Sequence, residues 1–384
     1  MMKKKYLIIG ILTGAALLAA CSLRSNKGNK PAPKNRKIKT VNQTKPDKVT
    51  RILKNMTLNE KIGQLYFAHS TGNTSQMLRD VKKYQLSGTT LFAKDFQNKS
   101  KQKFRDEMKQ YQNNSKHGLF IATDQEGGKV SRLSANPQLT NNRVFPSPQE
   151  IYKKDGLAGI AKEDAQVAKI LYKNGINMNF APVADVAKNK SSFIYNRTLG
   201  TGYIETVHYI SVAVKAIQKE KIASTLKHFP GYGDAGDTHT GFAEINKPLN
   251  DYKNEDLLPF KAGIEADADG IMVSHIIIKK LDPELPASLS PAAHKLLRNK
   301  LSYKGLIISD DLQMGAITQY AKLHHTNADV LALKAGNDLL LGGDYKTGIP
   351  AIKQVVKNRQ ISERQINQSV KRILQEKEKL GILK

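Results

Sequence analysis

The fold is decided by residues 270–311, which read GIMVSHIIIKKLDPELPASLSPAAHKLLRNKLSYKGLIISDD. This stretch opens with an apolar run from Gly270 to His275 and closes with a second one from Gly305 to Asp310. Between the two runs, Pro291 to Lys300 has the apolar spacing of an amphipathic helix. Two apolar runs joined through a helix predict two parallel strands with a right-handed crossover.

The same alternation continues along most of the chain. Six further β-rich runs lie at Gly63 to Ala68, Gly88 to Ala93, Gly118 to Asp124, Ile176 to Val183, Ala223 to His228 and Asp338 to Gly342. Further helical patterns lie at Ala158 to Lys173, Ile204 to Lys219, Glu255 to Ala266, Ala328 to Lys334, Ile349 to Lys357 and Ser362 to Leu380. Eight strands alternating with helices predict an α/β fold, a single (β/α)8 TIM-type barrel over residues 49–384.

Polar side chains follow most of these predicted strands. Active sites of such barrels form at the carboxyl ends of the strands, so the residues found there matter most. Six ends are polar: Asp124-Gln125-Glu126, Pro182 to Asp185, Lys227-His228, Ser274-His275, Ser309-Asp310-Asp311 and Gly342-Gly343-Asp344. A single polar residue at such a position is explained by capping of the next helix. Six together predict a functional site.

Two groups of residues carry the chemistry at these ends. Asp310 or Asp311, directly after an apolar strand, would place a carboxylate at the barrel mouth as a nucleophile or base. The glycine-rich segment 227–239, KHFPGYGDAGDTH, predicts a loop. Within it, Asp237 and His239 are two residues apart, so in an extended stretch their side chains share a side and can form an acid/base pair. The alternative is that Asp237 only caps a turn.

A metal site is the main competitor of this interpretation. The candidate ligands would be His228, His239, His275, Asp234, Asp237 and Asp310. However, the sequence contains no His-x-His at the end of the first predicted strand and no His-Glu-x-x-His motif. It also contains no dinucleotide fingerprint and no phosphate-binding Walker segment. We therefore expect no metal and no cofactor.

The amino terminus indicates a location outside the cytoplasm. Lys3, Lys4 and Lys5 precede an apolar run from Tyr6 to Ala20, which predicts a signal peptide over residues 1–20. The run ends in LAACS, and Cys21 is the only cysteine of the chain. This sequence resembles the lipobox of bacterial lipoproteins and predicts lipidation of Cys21, which would anchor the protein on the outer face of the cell membrane. An ordinary signal peptide with an incidental cysteine is the alternative.

The charge of the chain is consistent with that location. Its 61 Lys and Arg against 34 Asp and Glu give a net charge of +27. Residues 21–48 are polar and basic, and they predict a flexible tether that would suit an anionic envelope. Nucleic-acid binding is the other interpretation of such a charge, but no nucleic-acid-binding motif is present. We expect no nucleic-acid partner.

Several motifs together resemble glycoside hydrolase family 3, and more narrowly its bacterial β-N-acetylhexosaminidase branch, which trims peptidoglycan fragments. The motifs are MTLNEKIGQ at 56–64, DQEGGKVSR at 124–132, NMNFAPVAD at 177–185, NRTLG at 196–200, KHFPG at 227–231 followed by Asp-x-His, and SDDL at 309–312. The motifs follow one another along the chain, and the resemblance covers roughly residue 48 to the carboxyl terminus.

The resemblance implies a role for each residue of the site. Asp310 would be the nucleophile of a retaining mechanism, and His239, oriented by Asp237, would be the acid/base. The residues that would hold the sugar are Asp124, Arg132, Arg197, Lys227 and His228. The implied activity is hydrolysis of non-reducing terminal GlcNAc from peptidoglycan fragments or related glycans, by a protein that we expect to be a monomer.

Other functions stay open at this point. Within the family, a β-glucosidase or a glycoside phosphorylase is possible, and Asp311 could replace Asp310 as nucleophile. Outside enzymes, the alternative is a sugar-binding lipoprotein, against which the presence of both Asp310 and His239 argues. The sequence also departs from the family pattern. Tyr232 stands where a second histidine is usual, Gln313 replaces a common serine, and the stretch between Asp234 and Asp237 is one residue shorter.

Overall fold

The structure is a computed structural model that describes residues 47–384. The predicted signal peptide, Cys21 and all but the last two residues of the predicted tether lie outside the described residues. The first helix begins at Lys48, and the Asp47 side chain caps it by accepting a 2.7 Å hydrogen bond from the Thr50 amide. Within residues 47–384, no helix is both long and apolar enough to cross a membrane.

Eight parallel strands form the centre of the molecule. They are β1 (Tyr66–His69), β2 (Gly88–Leu91), β3 (Phe120–Thr123), β4 (Met178–Asn179), β5 (Ala223–Phe229), β6 (Gly270–Val273), β7 (Leu306–Ser309) and β8 (Leu340–Leu341). Each strand pairs with the next along the chain from β1 to β7, and β8 pairs with β1. A parallel bridge between Ile308 and Leu339 closes the ring between β7 and β8. The predicted (β/α)8 barrel is confirmed.

Helices surround this ring. The α-helices are Lys48–Asn55, Leu58–Gly63, Thr74–Tyr84, Ala93–Phe96, Lys101–Asn114, Pro137–Thr140, Pro148–Lys173, Tyr203–Lys219, Leu249–Asn254, Leu257–Glu265, Pro291–Lys295, Gly315–Leu323, Ala328–Ala335, Tyr345–Lys357 and Glu363–Lys379. Single-turn segments lie at Leu133–Ala135, Tyr195–Arg197, Ala287–Leu289 and Leu296–Lys300. Because helices and strands alternate, the sheet is covered on its outer face and filled by side chains within.

Several boundaries differ from the predicted ones, and two of the differences have a local explanation. The first strand begins at Tyr66, three residues after the predicted start at Gly63, because Leu58–Gly63 is a helix. Its capping box joins Thr57 and Glu60, with the Thr57 amide donating to Glu60 Oε2 over 2.8 Å. The predicted helix Glu255 to Ala266 begins at Leu257 and is preceded by a separate short helix.

The barrel interior is packed with aromatic rings from several strands. Phe67 of β1 lies parallel to Phe120 of β3, with ring centroids 6.2 Å apart, and Phe180 after β4 is 5.5 Å from Phe67. All three side chains are fully buried. At the amino end of β8, the buried Asp338 forms ion pairs with Arg298 and Arg372. These contacts hold together the strands whose carboxyl ends carry the polar residues.

Two small pairs of strands lie beyond the carboxyl ends of the barrel strands. Gln125–Gly127 and Val130–Ser131 form an antiparallel hairpin directly after β3. Glu244–Ile245 pairs in parallel with Ile277–Ile278, which follows β6. Both pairs extend the barrel on the side where the polar strand ends meet, and the hairpin carries Glu126 into the site.

Candidate active site

One cavity of about 480 Å³ opens at the carboxyl ends of the strands. This volume lies in the range usual for small-molecule sites. All eight residues that the sequence singles out for catalysis or sugar binding line it: Asp124, Arg132, Arg197, Lys227, His228, Asp237, His239 and Asp310. Residues separated by up to 186 positions along the chain are therefore brought together by the barrel topology, as the polar strand ends suggest.

Asp310 occupies the position expected for a nucleophile. It follows the last residue of β7, and its backbone amide donates to the Val273 carbonyl of β6 over 2.9 Å. One carboxylate oxygen accepts the Asp311 amide at 2.8 Å. Within the described part of the chain, the other oxygen accepts no hydrogen bond, although the residue is only 8% exposed. A buried carboxylate with one free oxygen beside a cavity can attack an electrophilic carbon.

The surroundings of Asp310 favour its ionised form. Burial by itself raises the pKa of this carboxyl, but the imidazoles of His275 and His228 and the Asp311 amide outweigh that effect and lower it. Burial also lowers the pKa of His275, so this ring is neutral near neutral pH. The amide hydrogen bond and the Lys227 charge lower the pKa of Asp310 whether or not His275 is protonated.

Asp311 is held in a different way. Its Oδ2 lies 2.9 Å from His69 Nε2 at the end of β1, a contact that is an ion pair only when the imidazole is protonated, and its Oδ1 accepts the Gln313 amide over 3.0 Å. A Cβ atom added at Gly342 would lie only 2.1 Å from Asp311 Oδ1, so the end of β8 closes against this side chain. Because both of its oxygens are engaged, Asp311 is the less available of the two carboxylates.

His275 supports the segment that carries both aspartates. Its Nε2 lies 2.8 Å from the Asp311 carbonyl oxygen and its Nδ1 lies 2.7 Å from Ser288 Oγ. The ring is fully buried. Because a carbonyl oxygen can only accept, Nε2 carries the proton and donates to it, and Nδ1 accepts from the Ser288 hydroxyl. Both nitrogens are used in these contacts, which argues against a role as metal ligand in this arrangement.

The predicted contact between Asp237 and His239 is present, and their acid/base role stays a prediction. His239 Nδ1 lies 2.6 Å from Asp237 Oδ1, and the same oxygen accepts the His239 amide over 2.9 Å. The carboxylate can only accept, so Nδ1 carries the proton and Nε2 is left for proton exchange. The ring of Phe193 contacts the imidazole at a centroid distance of 5.6 Å. The His239 side chain is 58% exposed, which gives it access to a bound substrate.

A cluster of four charged side chains forms the floor of the cavity. Lys227 Nζ is 2.7 Å from Asp124 Oδ1 and 2.6 Å from Glu126 Oε1. Arg197 reaches both oxygens of Glu126, over 2.9 Å and 2.8 Å. The Lys227 and Glu126 side chains are each 2% exposed. Arg132 lies at the edge, with its guanidinium 3.9 Å from Asp124. Cations held by carboxylates in this way have fixed positions, so their remaining N–H groups can donate to sugar hydroxyls in defined directions.

Glu126 is the central anion of this cluster, and it is absent from the site residues chosen from the sequence. Burial alone raises the pKa of Glu126, but the charges of Arg197 and Lys227 and their hydrogen bonds outweigh burial and bring the pKa far below its usual range. The same attraction raises the pKa of Arg197 against the effect of burial. The only sequence signal was its place in the polar end of strand three, Asp124-Gln125-Glu126.

His228 is held by a second residue that the sequence prediction did not include. Its Nδ1 lies 2.7 Å from Asp185 Oδ2, and its amide donates to both oxygens of the same carboxylate at 3.1 Å. Asp185 ends the polar segment after β4 and is buried. With Nδ1–H donating to Asp185, His228 Nε2 faces Arg197 at 3.4 Å. This arrangement orients the imidazole toward the cavity.

Metal-binding geometry does not occur in the described part of the chain. Among residues 47–384, no group of three or more His, Cys, Asp or Glu side chains is arranged to hold a metal ion. The expectation of a reaction without metal stays a prediction.

The structure is a (β/α)8 barrel in which a carboxylate and a histidine–aspartate pair line one polar cavity at the carboxyl ends of the strands, where barrel enzymes have their active sites. The chain belongs to glycosyl hydrolase family 3, since the model of the family's N-terminal domain matches residues 57–375.

Relatives with curated names support the same assignment. The chain is 33% identical over 279 residues to β-hexosaminidase A of Pseudoalteromonas piscicida, covering 68% of this chain and 46% of that protein. It is 31% identical over 239 residues to a β-hexosaminidase of Stenotrophomonas maltophilia, covering 60% of this chain and 69% of that protein. The chain thus spans about half the length of the first relative.

Solved structures show the same fold. A family 3 β-N-acetylglucosaminidase from a Paenibacillus species superposes with a TM-score of 0.79 at 29% identity, covering 85% of this chain and 63% of that one. A family 3 glycosyl hydrolase from Mycobacterium smegmatis superposes with a TM-score of 0.74 at 25% identity, covering 84% of this chain and 98% of that one.

Proposed function

We propose that this protein is a retaining exo-β-N-acetylglucosaminidase that removes non-reducing terminal GlcNAc from peptidoglycan fragments or related glycans. The observation that carries the proposal is the meeting of Asp310 with the Asp237–His239 pair at one cavity. The names of the relatives, β-hexosaminidase and β-N-acetylglucosaminidase, support the choice of sugar. The paired cations and carboxylates on the cavity floor support a polyhydroxylated ligand.

In the first step, a carboxylate oxygen of Asp310 attacks the anomeric carbon and forms a covalent glycosyl-enzyme. The bond from that carbon to the leaving-group oxygen breaks, and this oxygen takes the proton from His239 Nε2–H. Asp237 stabilises the imidazolium form that supplies the proton, because its carboxylate lies 2.6 Å from Nδ1.

In the second step, water attacks the same carbon from the face that the leaving group vacated. His239 Nε2 takes a proton from the water, and the bond to Asp310 breaks, which restores the free carboxylate. Two inversions retain the anomeric configuration. A neutral imidazole as base avoids a second full negative charge close to Asp310, which two carboxylates would create.

The cavity floor supplies the interactions with the sugar. Asp124, Lys227 and His228 present charged or strongly polar groups in fixed positions, because each is held by a buried partner. Hydrogen bonds to charged groups are stronger than neutral ones and can tighten as positive charge develops on the sugar ring. Cleavage of a terminal residue, rather than an internal one, is the mode we propose.

The decisive experiment is product analysis on an aryl β-GlcNAc, followed by NMR with and without added phosphate. We expect the β-anomer of free GlcNAc as first product and no sugar phosphate. An α-anomer as first product would contradict retention, and a sugar phosphate would show phosphorolysis. Release from an aryl β-glucoside but not from the aryl β-GlcNAc would show that the N-acetyl specificity is wrong.

We further propose that lipidation of Cys21 anchors the enzyme on the outer face of the cell membrane. The support is the LAACS sequence after an apolar run, together with the basic residues 21–48. In bacterial cells, we expect the wild-type protein in the membrane fraction and a Cys21→Ala variant displaced from it. Equal distribution of the two proteins between membrane and soluble fractions would contradict lipid anchoring.

A further inference from the structure

Tyr232 occupies the position where the family resemblance leads one to expect a histidine. It lies between His228 and the loop that carries Asp237 and His239. Its amide donates a 2.7 Å hydrogen bond to Asp185 Oδ1, which belongs to the carboxylate that holds His228. The Tyr232 ring contacts the His228 ring at a centroid distance of 5.5 Å. On its other side the ring contacts Phe193 at 6.0 Å. The residue is only 2% exposed.

The hydroxyl of this tyrosine reaches into the loop that carries the acid/base pair. It donates to the Gly236 carbonyl over 2.9 Å and accepts the Thr238 amide over 3.0 Å. A third contact, 3.1 Å long, joins it to Thr238 Oγ1. These two backbone bonds involve the residues on either side of Asp237. Burial raises the pKa of Tyr232 to about 12, so the hydroxyl keeps its proton and its role as donor.

Thr238 is the inward anchor of that loop. It is fully buried, while Asp237 before it is partly exposed and His239 after it is exposed. Residues 237–240 form a turn, in which the Thr240 amide donates to the Asp237 carbonyl over 3.3 Å and the His239 amide donates to Asp237 Oδ1 over 2.9 Å. With the Thr238 side chain buried beneath this turn, Asp237 and His239 are left on its accessible side. The contact between Tyr232 and Thr238 therefore sets the direction of the acid/base pair.

The loop needs such anchors because its own backbone is permissive. Gly233 has a φ of 56°, in the left-handed region, and Gly236 has open space where a Cβ would lie. Glycines raise the conformational entropy that a loop loses when it becomes ordered. A second anchor lies at the start of helix Gly315–Leu323, where the Gly315 amide donates to the His239 carbonyl over 3.1 Å. A Cβ at Gly315 would lie 2.5 Å from that oxygen.

We propose that Tyr232 is a positioning residue for the acid/base pair, and that its hydroxyl holds the loop so that His239 meets the leaving group. The inference rests on the proposed function of His239 but goes beyond it, since Tyr232 itself touches neither the transferred proton nor Asp310. The hydroxyl reaches the loop backbone directly, at the Gly236 carbonyl and the Thr238 amide.

The test compares leaving groups in a Tyr232→Phe variant. The substrates are phenyl β-GlcNAc, which needs a proton on its leaving oxygen, and 2,4-dinitrophenyl β-GlcNAc, which does not. We expect kcat/KM for the phenyl glycoside to fall about 10-fold or more and that for the dinitrophenyl glycoside to fall less than about 3-fold. A His239→Ala variant is the reference and should show the same pattern more strongly, up to about 10²–10⁴-fold on the phenyl glycoside.

Azide supplies the second readout. Azide resolves a glycosyl-enzyme without needing a base, so it should raise kcat of Tyr232→Phe on the dinitrophenyl glycoside and yield the β-glycosyl azide. Wild-type kcat should not respond. A purely structural role of Tyr232 predicts equal losses on both glycosides and no effect of azide, and that result would overturn the proposal.

Tyr252→Phe is the matched control. Tyr252 is also 2% exposed and packs in the same small apolar cluster as Tyr232, but its hydroxyl has no hydrogen-bond partner among the described residues. We expect this variant to keep the wild-type ratio between the two leaving groups; a ratio changed as in Tyr232→Phe would overturn the proposal. Because leaving groups are compared on one sugar, the series also works on a glucoside, so wrong sugar specificity is seen separately.

Discussion

Asp310→Ala should lower kcat on an aryl β-GlcNAc by at least about 10³-fold, the scale expected when a nucleophile is lost. Asp311→Ala should lower it far less, by about 10-fold. The reason is the different engagement of the two carboxylates. Asp310 keeps one oxygen free beside the cavity, whereas Asp311 is bound by His69 and the Gln313 amide. Steady-state kinetics of both variants measure the order directly.

Trapping of the intermediate gives an independent assignment of the nucleophile. A 5-fluoro β-GlcNAc fluoride has a good leaving group and a slowed second step, so the glycosyl-enzyme accumulates. Fragmentation of the labelled peptide from Gly305 to Lys322 should place the sugar on Asp310. A label on Asp311, or a larger loss in Asp311→Ala than in Asp310→Ala, would reassign the nucleophile. Unfolding temperatures of the variants separate loss of chemistry from loss of fold.

The barrel could be predicted from the sequence because its strands leave a strong local signal. Runs such as Leu306-Ile307-Ile308 are buried on both faces and are therefore continuously apolar. The sequence pattern places the start of β1 too early, because Ile62 and Leu65 belong to one apolar stretch although a capping box makes its first part helical. That box involves Thr57 and Glu60 and was visible in the sequence.

The site residues fall into two groups for a physical reason. The first group can be predicted from the local sequence. Asp310 directly follows an apolar strand, and Asp237 and His239 are two residues apart. Glu126 and Asp185 contact Arg197 and His228, which lie 71 and 43 positions away along the chain. Pairing at such separation depends on which strands are neighbours and on how far each loop extends. A single sequence contains neither quantity.

Glu126→Gln should affect both stability and activity, and it is the most informative change at a residue that the sequence analysis missed. The substitution removes the charge that Lys227 and Arg197 share while keeping the size of the side chain. Breaking a buried ion pair by removing one partner costs about 3–5 kcal/mol, because the remaining charge stays buried without compensation. We expect the free energy of unfolding at pH 7 to fall by about that amount, reduced by the contact that Lys227 keeps with Asp124.

The pH dependence of this loss has a definite sign. The pKa of Glu126 is lowered in the folded protein, so its stabilisation is fully present above the pKa of about 4.3 in the unfolded chain and is lost as the pH falls toward the folded value. The stability difference between wild type and Glu126→Gln should therefore be constant from pH 6 to 8 and shrink below about pH 4. Denaturant unfolding at several pH values measures it, and a difference that grows on acidification would contradict the ion-pair explanation.

Asp338→Asn separates stability from catalysis. Asp338 is a buried carboxylate between Arg298 and Arg372 at the amino end of β8, so it resembles Glu126 in charge environment but lies at the opposite end of the barrel. We expect both variants to lose stability, whereas only Glu126→Gln should lose kcat/KM at a temperature where both are folded. If Asp338→Asn lost as much activity, the effect of Glu126 would be general loosening of the barrel. If neither variant lost activity, the Glu126 cluster would hold the fold without ordering the sugar site.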